Sequence, residues 1–141
     1  MKKNVSVWIV LLIVVIGAVL VTSMFLGGRV TDEDSVVKIG VSLPLTGEAA
    51  SIGESALAGI TLAVNEVNAE GGIGGKQIEL IVEDDQCSPD GVSAIQKLIN
   101  VDDVTAIIGP VCSPVAGPGL PIAQEKGIPS IIIATAPHLT K

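Results

Sequence analysis

Apolar residues follow two different patterns along the chain. The first is a single block, Val5 to Leu26, 22 residues without a charge, preceded by Met1-Lys2-Lys3-Asn4. As a helix it covers about 33 Å, the thickness of a bilayer's hydrocarbon core. A cleaved signal peptide usually has a shorter apolar stretch and a small-residue exit. Here the exit reads Thr22-Ser23-Met24-Phe25-Leu26-Gly27-Gly28. Residues 1–28 are therefore expected to be an uncleaved signal-anchor, with a long cleaved signal peptide as the alternative. Lys2 and Lys3 favour a cytoplasmic start and an exported remainder. The expected location is the cell membrane with an extracytoplasmic domain, or the exterior if the leader is removed. Residues 29–35, polar and acidic, read as a tether.

The second pattern alternates short apolar runs with helical periodicity. Val36 to Leu43 is a β-branched run with the length of a buried strand. A loop rich in Gly, Ser and Thr follows, and then a helix from about Gly53 to Ala69. Ser51 and Glu54 have capping-box spacing at its start, and Leu57, Ile60, Val64 and Val67 recur along one face. Gly71-Gly72 is its stop. Gln77 to Glu83 predicts a second strand, and Ser88-Pro89 opens a helix through about Ile99. The inner face of that helix is Val92, Ile95, Leu98 and Ile99. Val104 to Ile108 predicts a third strand. Ser113-Pro114 repeats the start signal, but Pro118 and Pro121 each remove an internal hydrogen bond. This helix is expected to start late or to kink before its Lys126-Gly127 stop. Ser130 to Ala134 predicts a fourth strand.

Strands alternating with helices give an α/β fold, a doubly wound parallel sheet with helices on both faces. Residues 36–141 are expected to form it, after the one leading transmembrane or signal helix. Such sheets bind ligands at the carboxyl ends of their strands. The loops there are 44–53, 84–88, 109–113 and 135–140.

Composition narrows the function. Residues 29–141 carry all 15 Asp and Glu against six Lys and Arg, a net −9, and contain no Trp, Tyr or Phe. Clustered cations for phosphate contacts and aromatic platforms for base stacking are both missing, which excludes nucleic acid as a partner. Gly71 to Lys76 is no phosphate loop, because Gln77 stands where Ser or Thr is required and a strand follows rather than a helix. His138 has no Ser or Cys partner at an informative spacing, so no triad is supported and no enzyme is expected. No metal site or cofactor is expected either.

The strand-tip loops hold the remaining candidates. Cys87 and Cys112 follow the second and third strands, so both lie at one edge of the sheet. In an exported chain they form either a disulfide or two free buried thiols. Closing that 25-residue separation contributes about 3.5 kcal/mol in the chain-entropy model. Ser113 stands where the third helix begins, as a carboxylate holder or a plain N-cap. Thr135, after the fourth strand, offers a hydroxyl and a backbone N–H, or is an ordinary turn residue. Asp84-Asp85 is expected to order its loop rather than to bind metal.

Several stretches in order carry a resemblance: Lys38 to Gly47 (KIGVSLPLTG), Ala63 to Gly75 (AVNEVNAEGGIGG), Asp84 to Pro89 (DDQCSP), Ile108 to Ser113 (IGPVCS) and Ala134 to Pro137 (ATAP). Together they resemble the extracellular solute-binding proteins of branched-chain amino acid ABC transporters, the leucine/isoleucine/valine-binding type with a type I periplasmic fold. The resemblance implies two lobes closing on one amino acid, of which this chain holds part of the first. It implies a Cys87–Cys112 disulfide. It places Ser113 and Thr135 at the ligand's α-carboxylate and α-ammonium, helped by backbone groups of Ile133 or Ala134, and Ile52 against the ligand side chain. The implied partners are a Leu-, Ile- or Val-like amino acid and a membrane permease. A ligand-sensing receptor module of the same fold, or a truncated fragment that does not bind, are the alternatives.

Overall fold

The computed structural model describes residues 36–140. The expected signal-anchor and tether lie outside them. Among the described residues no helix is long and apolar enough to cross a membrane. In chain order the elements are β1 (Val36–Leu43), α1 (Ala50–Ala69), β2 (Gln77–Asp84), a 3-10 turn (Pro89–Gly91), α2 (Val92–Asn100), β3 (Ala106–Ile108), α3 (Ser113–Glu125) and β4 (Ser130–Ile131). A second 3-10 turn spans Pro137–Thr140. The four strands form one parallel sheet in the order β2-β1-β3-β4. This is the expected doubly wound arrangement, with β1 in the interior, paired along one side with β2 and along the other with β3.

The register separates the two faces. Ile81, Gly40 and Ile107 are aligned across β2, β1 and β3. Ile81 and Ile107 join Ile95, Leu98, Ile99, Val104, Val115 and Ala123 in the main core, under α2 and α3. Gly40 belongs here because a Cβ would sit 3.1 Å from Leu98. The opposite face, where Val41 and Leu43 are fully buried, lies under α1. Near β4 that face is uncovered: Ile131 is 69% exposed.

Three local expectations are corrected. α1 begins at Ala50 rather than Gly53, so Ser51 lies inside its first turn. No capping box forms; the N-cap is Ala49, which makes no side-chain bond. Tertiary packing sets this start, because Gly53 lies so close to Pro44 that a Cβ would stand 1.9 Å from its carbonyl oxygen. α3 starts at once, at Ser113, and runs 13 residues with Pro118 and Pro121 inside it. Its buried Val115, Ala116, Gly119 and Ala123 hold it against the core, which outweighs the two missing backbone bonds. β3 and β4 are shorter than expected, at three and two residues. Gly109, at φ +102°, turns the chain out of β3, and β4 has only β3 beside it.

Candidate functional site

All four loops named from the sequence lie at the carboxyl edge of the sheet, and the structure ties them together one to the next. Asp84 closes the first link. Its Oδ1 accepts the N–H of Leu45 at 2.8 Å and of Gln86 at 2.9 Å, and its Oδ2 accepts the Thr46 hydroxyl. Burial works to raise the pKa of this carboxyl. The Thr46 hydroxyl and the N–H groups of Leu45, Gln86 and Thr46 lower it by more, so it lies below its ordinary 3.8. Asp85 is fully buried. It accepts the Ser42 hydroxyl at 2.9 Å and the Cys87 N–H at 3.0 Å. The acidic pair thus spends its oxygens on the loops, as expected of a loop-ordering role.

The second link is covalent: Cys87 and Cys112 are joined, with their Cα atoms 5.3 Å apart. That bridges the loops after β2 and β3, on either side of β1. The third link is the Ile133 N–H, which donates to the Pro110 carbonyl at 3.2 Å and fastens the segment after β4 to the loop after β3.

The sequence-derived candidates fall along this rim. Ser113 is half-buried and is the first residue of α3. It is not the N-cap; Cys112 is, and Cys112's carbonyl accepts the Val115 and Ala116 N–H groups. The Ser113 hydroxyl and N–H therefore have no protein partner among the described residues. Thr135 is exposed, in the segment that the Ile133 bond holds beside Pro110. Ala134 is half-buried. Ile133 is 46% exposed and its N–H is already committed, so only its carbonyl can serve a ligand.

Ile52, in the first turn of α1, is 58% exposed. It lines a hollow of about 390 Å³ together with Glu48, Ala49, Gln86 and Cys87. Ser113 and Thr135 do not line that hollow. The disulfide nevertheless bounds the distance of Ser113 from it: Cys112 directly precedes Ser113, so the Cα atoms of Ser113 and Cys87 are within about 9 Å. Glu48 and Gln86 were not singled out in the sequence. No spacing marks them, since a loop and the end of a strand 38 residues later meet only in the folded chain.

Comparison with known proteins fits this geometry. Residues 36–140 match the family model described as periplasmic binding protein. The chain is 34% identical over 105 residues to a leucine-, isoleucine-, valine-, threonine- and alanine-binding protein of Pseudomonas aeruginosa, covering 74% of this chain and 28% of the relative. It is 40% identical over 107 residues to the Leu/Ile/Val-binding protein BraC3 of Rhizobium johnstonii, covering 74% and 29%. Among solved structures it is similar to the branched-chain amino acid transporter substrate-binding protein LivJ of Streptococcus pneumoniae in complex with isoleucine. That match has a TM-score of 0.71 and 34% identity, over 74% of this chain and 31% of that one. The chain thus spans about 30% of the length of the relatives it matches.

Proposed function

The chain belongs to the periplasmic binding protein family, and from that premise we propose that it carries half of a binding site for a branched-chain or related amino acid delivered to an ABC permease. The relatives are binding proteins rather than enzymes, and so is this protein. The observation that carries the ligand reading is the strand-tip rim. An unpartnered hydroxyl and N–H at the start of α3 suit a carboxylate, which the positive end of a helix favours. Thr135 and the carbonyls of Ile133 or Ala134, fastened nearby, suit the ammonium. The Ser113 Cα is within about 9 Å of the Cα of Cys87, which lines the hollow beside Ile52, a span that a ligand side chain a few carbons long can cover.

The described rim alone leaves a small ligand open to water, whereas tight sites bury most of the ligand's surface. The two bonded cysteines agree with an oxidising compartment outside the cytoplasm. The test is a titration of the full chain with L-leucine, followed by two-dimensional amide NMR. Saturable shifts centred on Ser113 and Thr135 support the reading. Ser113→Ala and Thr135→Ala should each cost about 1–3 kcal/mol of binding. Absence of any saturable shift, or unchanged affinity in both variants, overturns it.

A further inference from the structure

We propose that Glu48 makes the hollow beside Ile52 selective for ligand side chains that end in a positive charge. The inference rests on the amino-acid reading above. It extends that reading to the substrate class: an aliphatic stem with a cationic tip, in the manner of lysine or ornithine, in preference to a purely aliphatic chain.

The hollow joins unlike surfaces. Ile52 and Ala49 supply apolar contact, while Glu48 and Gln86 supply a carboxylate and an amide. Among the described residues neither polar side chain has a hydrogen-bond or ion-pair partner. Both are exposed and open to a ligand.

The surroundings reinforce the charge. The described lysines are Lys38, Lys76, Lys97 and Lys126. Lys38 is the third residue of β1, about 16 Å from its tip. Lys76 immediately precedes β2 and Lys126 lies just before β4, both at the far edge of the sheet. Lys97 is paired with Glu83 and lies 3.8 Å from Asp102. The strand-tip rim therefore carries Glu48, Asp84, Asp85 and Asp90 with no free lysine among the described residues. Beside Glu48 this favours a cationic side-chain tip. Asp84 and Asp85 are committed to loop hydrogen bonds and Asp90 does not line this hollow, so Glu48 is the carboxylate on its wall. An aliphatic stem on Ile52 with an ammonium at Glu48 satisfies both surfaces at once. A leucine side chain satisfies only the first.

The probes are L-lysine and L-norleucine, which share the same four-carbon stem and differ in the terminal ammonium. Each is titrated into the full chain at low salt and followed by amide NMR. Lysine should bind about two- to five-fold more tightly, the range an exposed ion pair commands. Glu48→Gln should bring the two affinities together, and so should about 0.5 M sodium chloride. Norleucine binding at least as tightly as lysine, or a lysine preference that survives Glu48→Gln, overturns the proposal. Norleucine shifts at Ser113 and Thr135 with no lysine preference would uphold the amino-acid site and sink this inference alone. No response to either amino acid would sink both.

Discussion

At the residue scale, the rim is held by groups whose cost and benefit can be measured. Gln86 has a backbone φ of +52°, a left-handed conformation that costs a non-glycine residue about 1–2 kcal/mol. Gln86→Gly removes that cost but adds about 0.5–1 kcal/mol of unfolded-chain entropy. The variant should gain roughly 0.5 kcal/mol in denaturant melts. Asp84 supplies a pH signature. Its folded pKa is below 3.8, so its contribution to stability is complete above that value. As pH falls below 3.8 toward the folded pKa, the unfolded chain takes up the proton first and the contribution is lost. In acid titrations monitored by unfolding, Asp84→Asn should flatten the stability loss in that window and speed amide exchange at Leu45 and Gln86. The loop-ordering role of Asp84 was legible in the sequence. Its partners Thr46 and Leu45 were not, because they lie 38 and 39 residues away and meet it only through the sheet register.

At the scale of elements, α1 shows what local pattern can and cannot decide. Its periodicity identified the helix and most of its inner face: Leu57, Ile60 and Val64 are half-buried, while Val67, expected with them, is exposed. Its first turn was misplaced because Pro44, not a capping side chain, determines where the helix can begin. Two glycines in α1 test this. At Gly59 an alanine methyl would project into open space, with nothing within 4 Å, whereas at Gly53 it would meet the Pro44 carbonyl oxygen at 1.9 Å. Gly59→Ala should therefore stabilise the fold by about 0.5–1 kcal/mol, the usual helix-interior gain. Gly53→Ala should destabilise it by about 2 kcal/mol or more, since backbone must move to admit the methyl. Equal effects in thermal melts would contradict the close contact. α3 carries the converse lesson: two prolines signal a late or kinked start, yet burial of one small-residue face keeps the helix in place from Ser113.

At the scale of the whole molecule, one covalent bond joins strand tips that flank β1. Replacing Cys87 and Cys112 with serine releases a 25-residue loop closure. This should lower unfolding free energy by about 3.5 kcal/mol, read as a lower denaturation midpoint with an equal or steeper slope, since the released unfolded chain exposes more surface. The same substitution should broaden the amide signals of Ser113, whose distance from the hollow beside Ile52 depends on that bridge. Loss of stability without any change at Ser113 would separate the disulfide from the site.

The sequence by itself determined the alternation of strands and helices, the parallel winding, the edge of the sheet that carries the candidate residues, and the family. These follow from periodicity, glycine and proline punctuation and contiguous motifs, all of which act over a few residues. The Cys87–Cys112 bond that the resemblance implied is formed. Tertiary structure alone decided where α1 begins, that Ser113 is the first helical residue instead of a cap, and that Glu48 and Gln86 share a hollow with Ile52. The reason is physical. Such features depend on contacts between segments far apart in the chain, and no local preference encodes the distance between two loops until the sheet has set them side by side.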